Sequence, residues 1–321
     1  MKQYFLILIS LLFINCSSEK KTIVNEHLNI IITPDLSNRI EDLYTKPILD
    51  TELITNIYKS YYPNLYKINN RVLGQKDVIQ FRFTNPDIIS KFHISIEKLK
   101  MDLSKMSPNT RINYLTKGGI NQKVDTITKE VEDIYLKAKQ HTTGGDIYNF
   151  LKKEISSAII KKNTTIITTN GNKVKNLQRN IVVLLTDGYI EAGLYGKENC
   201  HSKKCYYLSK SKIDEFRSAF LKSGNPDLKS FFESSGYGII PINNINLKNI
   251  ELFVSEIYDR SLNRKTGSQT ITPNDFEIIK LFWADWLEKS GIKHYKLLGT
   301  SNSKEEFMYE LKTFIKKPIS Y

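Results

Sequence analysis

The sequence predicts an α/β fold, a three-layer sandwich with a mostly parallel central sheet and helices on both faces. Three observations predict it. Short apolar runs alternate with stretches of helical spacing along most of the chain. The strongest runs, Leu28-Asn-Ile-Ile-Ile32 and Arg179-Asn-Ile-Val-Val-Leu-Leu185, are nearly continuous, as in strands buried on both faces. Loops rich in Asp, Ser, Thr and Gly follow them, where parallel sheets gather their ligands.

Taken in order, Leu28 to Ile32 reads as a buried strand ending at Thr33-Pro34-Asp35. Pro47 to Ser60 has helical spacing, and Asp77 to Phe83 alternates like a strand. Asn85-Pro86-Asp87 carries proline just inside a helix start, and that helix is expected to run to about Met106. A polar helix is expected over Gln122 to Lys139, and another from Ile147 to Ile159. Thr164 to Thr169 reads as a strand, with Asn170-Gly171 as its turn. After the central strand come a short strand at Tyr237–Pro241 and a helix from about Leu247 to Asp259. A last helix–strand–helix unit covers Asp275–Ser290, His294–Leu298 and Lys304–Ile315. With no internal repeat, the organisation expected is one domain over 27–260, an insertion near 189–225, and an extension over 261–321 on the same domain.

The first fifteen residues read as a signal peptide. Lys2 precedes the apolar run Phe5 to Ile14, which is shorter than the roughly 20 residues a membrane-spanning helix needs. Phe13-Ile14-Asn15-Cys16, followed by the polar Ser17 to Thr22, resembles the lipobox of bacterial lipoproteins, although Asn15 is larger than the usual small residue. The resemblance implies cleavage and lipidation at Cys16, a polar tether over 16–26, and a domain held on a membrane in the cell envelope. An uncleaved anchor and an unlipidated secretory signal are the alternatives.

The net charge of +13 invites a nucleic-acid reading. The Lys and Arg residues form no basic arm, and an exported protein rarely meets nucleic acid, so no nucleic-acid partner is expected. The charge suits an anionic membrane or an acidic polysaccharide better. With Cys16 lipidated, Cys200 and Cys205 remain as an even pair, expected to form a disulfide in an oxidising compartment. Free thiols are one alternative, and a metal site with His201 is another.

Candidate site residues lie in three loops. Asp35-Leu-Ser37-Asn38-Arg39 follows the first strand, Thr142-Thr143-Gly-Gly-Asp146 precedes a helix, and Asp187-Gly188 follows the central strand. Oxygen donors converging on one sheet edge make a plausible site for Mg²⁺ or another hard cation. Singly, such aspartates more often cap loops and helices. His141 is a candidate base, and Trp283 and Trp286 are expected in the core.

The order of apolar strand and Asp-x-Ser, Gly-Gly loop, and Val-Val-Leu-Leu-Thr-Asp-Gly resembles the von Willebrand factor type A family. That resemblance implies a Rossmann-like sandwich and a metal-ion-dependent adhesion site, with Asp35, Ser37, Thr143 and Asp187 as ligands. It also implies a protein partner in the cell envelope, contacted through Asn38, Arg39 and Asp146. Two departures stand out. Arg39 replaces the second serine of the motif, putting a permanent cation beside the metal position, where it can repel the metal or replace it by pairing with Asp35, Asp187 or Asp42. The Gly-Gly-Asp alignment also leaves the threonine ligand open. A metal-dependent hydrolase using the same carboxylates and a structural envelope subunit with a vestigial site are the other functional readings.

Overall fold

Isoleucines 30 to 32 have nowhere to face but protein, because the strand that carries them is covered on both sides. In the computed structural model this strand is β1 (Thr22–Pro34), and Ile30 and Ile32 enter one hydrophobic core while Ile31 enters the other. The structure describes residues 21–41, 46–71, 74–141, 144–192, 199–263 and 265–317, without the side chains of Asn38 and Glu41. Cys16, Asp42 and Thr143 therefore lie outside the described residues.

The chain continues through α1 (Asp50–Lys59), β2 (Val78–Phe81), α2 (Asp87–Lys91) and β3 (Met101–Asp102). Next come α3 (Pro108–Thr116), the long α4 (Gly119–Gln140), and the single turn α5 (Ile147–Asn149). β4 (Thr164–Ile167) and β5 (Lys173–Leu185) form a hairpin. Then follow β6 (Cys200–His201), β7 (Lys204–Cys205), α6 (Lys210–Ser223), α7 (Leu228–Ser235), β8 (Gly238–Ile239) and β9 (Ile250–Ile257). The last unit is α8 (Asp275–Lys289), β10 (His294–Gly299) and α9 (Lys304–Lys316).

The main sheet has the order β10-β9-β5-β1-β2-β3, with β4 beside β5. Its inner pairs are parallel, and β3 and β4 are antiparallel to their neighbours. Helices α1, α3, α4 and α9 cover one face, and α5, α6, α7 and α8 cover the other. The expected α/β three-layer sandwich with a mostly parallel sheet is thus the observed architecture.

Some element boundaries differ from the sequence reading. Ile250 to Ile257, expected within a helix, is the central strand β9, buried throughout. The stretch after Asp87 makes only a short helix and then turns into β3. Residues 22–26, expected within a polar tether, are the start of β1. Trp283 and Trp286 are fully buried and pack edge to face at 5.3 Å, as core residues. Cys200 and Cys205 face each other across the β6–β7 pair and form a disulfide, so their sulfurs are taken and His201 gains no metal partner from them.

Candidate functional site

Connections leave β1 toward β2 on one side and β5 toward β9 on the other, so the strand order reverses between β1 and β5. Ligands of open α/β sheets bind beyond the carboxyl ends of the strands at such a switch point. Asp35 and Asp187 stand there, each just past the end of its strand. Backbone bonds hold the ends together: Asp35 N donates to Leu185 O at 2.9 Å, Thr186 N to Ser255 O at 3.0 Å, and Tyr258 N to Asp187 O at 3.1 Å.

The Asp35 carboxylate is enclosed. Its Oδ1 accepts from Ser37 N at 3.1 Å and its Oδ2 from the Thr186 hydroxyl at 2.9 Å. Gly145 presses on it from the loop before α5, and a Cβ at that position would lie 2.1 Å from Asp35 Oδ1. Burial raises the Asp35 carboxyl above its ordinary range; Arg39 opposes that rise and the neighbouring Asp187 adds to it.

Arg39 reaches back under the strand ends. Its Nε donates to Asp35 O at 2.9 Å, and its Nη2 donates to Leu185 O at 2.6 Å and Asp50 Oδ2 at 2.5 Å. Its Nε also stands 3.8 Å from Asp35 Oδ2. Asp50, the first residue of α1, accepts as well from Lys46 Nζ at 2.6 Å and the Tyr135 hydroxyl at 2.9 Å. Burial pushes Asp50 up, but Arg39 and Lys46 outweigh it and hold the carboxyl below its ordinary range. The Arg39 side chain is only 2% exposed, so its charge serves the protein interior and not a partner at the surface.

A second arginine holds Asp187. Arg260 Nη2 donates to Asp187 Oδ2 at 2.7 Å, Nη1 donates to Glu191 Oε1 at 2.9 Å, and the guanidinium lies 3.9 Å from the centre of the Tyr189 ring. Asp187 Oδ1 accepts from Tyr189 N at 3.2 Å. The turn between them needs Gly188, whose φ is +86° and whose carbonyl accepts from Trp283 Nε1 at 2.8 Å.

The remaining candidates divide. Ser37 sits at the edge and is partly exposed, and Asn38 opens the short turn Asn38–Glu41. Asp146 is spent on capping α5: its Oδ1 accepts from Asn149 N at 2.9 Å and its Oδ2 from Asn149 Nδ2 at 2.6 Å. His141 ends α4 and lies against the Phe92 ring. Sequence reading missed Arg260, Asp50, Lys46 and Thr186. Thr186 was adjacent to a recognised aspartate. Arg260 shows its role only when β9 is known to lie beside β5.

These donors do not fit a divalent cation. Asp35 has both oxygens engaged, Asp187 is ion-paired, and two guanidiniums stand where positive charge would be added. Among the described residues, no group of three or more His, Cys, Asp or Glu side chains is arranged to hold a metal. What the geometry can do is different: it keeps two adjacent strand ends rigid and leaves one guanidinium, Arg260, partly exposed beside Glu191. No protein-family model matches the chain, and no curated protein matches it.

Proposed function

We propose that the chain is a lipid-anchored protein-interaction module of the von Willebrand type whose binding edge is organised by arginine in place of a metal ion. The observation that carries this reading is the presence of a guanidinium beside each switch-point carboxylate, Arg260 on Asp187 at 2.7 Å and Arg39 3.8 Å from Asp35 while bonded to Asp50. Adhesion through a cation needs open coordination for a partner carboxylate. Here the exposed cation is Arg260, whose side chain is 32% accessible next to a 45% accessible Glu191. A partner carboxylate replaces Glu191 on the guanidinium, a charge-assisted contact with the planar geometry that arginine favours. Arg39 supports this edge from beneath. The tether at Cys16 places the module in the envelope, facing a protein partner there.

Photo-crosslinking in native membranes from a position beside Ser37 tests the reading. A discrete adduct is expected that persists in EDTA and disappears in Arg260→Glu. An adduct lost in EDTA and restored by magnesium would return the site to the metal-dependent class. An adduct indifferent to Arg260→Glu would remove this edge from the interface.

A further inference from the structure

At the opposite end of the sheet, β1 and β5 run on past their neighbours. β2 begins opposite Asn29 and β9 opposite Asn180, whereas β1 and β5 pair from Thr22 and Lys173. With β4 alongside, these segments form a three-stranded finger projecting about 20 Å beyond the sheet. Its apolar side chains are exposed: Ile23 by 46%, Val24 by 56%, Ile166 by 53% and Ile167 by 74%. Register puts Ile23, Val174 and Ile166 in one cross-strand row, and it puts Val24 beside Lys175 and Ile167 beside Lys173 on the other face. Neither core reaches these residues.

The same end is strongly basic. Lys21, Lys173 and Lys175 lie on the finger, all exposed. Beside it a cavity of about 630 Å³ is lined by the exposed lysines 161, 162, 248 and 293. Among the described residues, none of these lysines has an ion-pair partner; the lysines that pair with carboxylates are others. The carboxylates nearest the strand starts are Glu26, on the finger itself, partly exposed and 3.8 Å from Arg179, and the buried Asp77 and Glu251, held by Arg71 and Arg179. The other end of the sheet differs, because there Asp35, Asp50 and Asp187 are matched with Arg39, Lys46 and Arg260.

We propose that the finger and the basic end around it are a membrane-docking element that seats the domain on a bilayer containing anionic phospholipid. Exposed isoleucines among unpaired lysines suit a bilayer interface, where apolar side chains enter the acyl boundary and ammonium groups stay at the phosphates. An acidic polysaccharide would satisfy the lysines and leave the isoleucines in water. The inference rests on the tether reading for its geometry. Lys21 is five residues after Cys16, so the finger tip is within about 17 Å of the lipid attachment point. Docking in this orientation turns the Arg260 edge away from the membrane.

The test is amine-labelling footprinting of the full chain on vesicles of phosphatidylcholine alone and of phosphatidylcholine mixed with phosphatidylglycerol. On anionic vesicles, labelling of Lys173, Lys175 and Lys293 is expected to fall about fivefold, with Lys265 beyond β9 unchanged. Ile166→Asp with Ile167→Asp, at positions already exposed, is expected to restore labelling while the tethered protein stays on the vesicles. Association with both vesicle types and equal labelling on each overturns docking and leaves the tether intact. Association with neither overturns the tether reading and docking with it. Protection by soluble alginate but not by anionic vesicles overturns the bilayer in favour of an acidic polymer.

Discussion

Asp35 and Asp50 are buried in one cluster, yet their carboxyls shift in opposite directions. Asp50 has Arg39, Lys46 and Tyr135 on its oxygens; Asp35 has only neutral donors at hydrogen-bond distance, with Arg39 farther off. Glu256 extends the pattern. It is fully buried at the end of β9, with φ at +74° and Oε2 without a partner, and burial and the nearby Asp50 raise its carboxyl above the ordinary 4.5. A raised carboxyl contributes stability that is complete below its unfolded value and lost as pH rises through its folded value. Glu256→Gln removes that dependence, so the variant is expected to melt roughly 2–4 °C above the parent at neutral pH. The gap should close as pH falls below 4.5, read by thermal unfolding across the pH range. Asp50 acts in the other sense: its stabilisation is present above 3.8 and lost as pH falls below it. Gly145 makes a sharper claim. Gly145→Ala brings a methyl group against Asp35 Oδ1 and is expected to cost about 1–3 kcal/mol in denaturant unfolding. A loss within the scatter of ordinary surface substitutions would show that the loop before α5 does not press on the site.

At the scale of elements, the sheet was legible in proportion to how continuous its apolar runs are. β1 and β5 stand out because Leu28–Ile32 and Ile181–Leu185 are long enough to name a strand buried on both faces. β9 does not, because its apolar run is only Leu252-Phe-Val254, flanked by Glu251 and by Ser255-Glu256, and a run that short fits either period. That misreading hid Arg260, which stands just beyond β9 and means nothing for the site until β9 is placed next to β5. Asp35, Ser37 and Asp187 were legible because they follow recognisable strands. Asp50 was not, since an acidic residue opening a helix is ordinary, and only the fold shows it holding Arg39. Arg39 was visible in the sequence, but not its direction: it turns inward, beneath the edge.

For the whole molecule, Arg179 is the tie between layers. From β5 it donates two bonds to Glu251 on β9 at 2.8 and 2.7 Å and a third to Ile315 O at the end of α9. It also lies 3.8 Å from Glu26 on β1. Arg179→Met takes the guanidinium from the buried Glu251 carboxylate, which keeps His294 Nδ1 at 2.8 Å, and is expected to lower stability by about 3–5 kcal/mol. Arg179→Met combined with Glu251→Leu should recover most of that loss, because the buried carboxylate goes with its guanidinium and only the bond to Ile315 O and the approach to Glu26 stay lost. If the double variant is no more stable than the single one, the arginine's bond to α9 is what matters. The long parallel pairing of β1 with β5, from Thr22–Lys173 to Pro34–Leu185, bears on mechanics as well as packing. A pull on the amino end of the chain runs along β1, across the direction of its hydrogen bonds. The ladder is then loaded in shear, so its bonds must give way together and cannot peel one at a time. The first strand is thereby held to the rest of the domain by a ladder that resists as one unit.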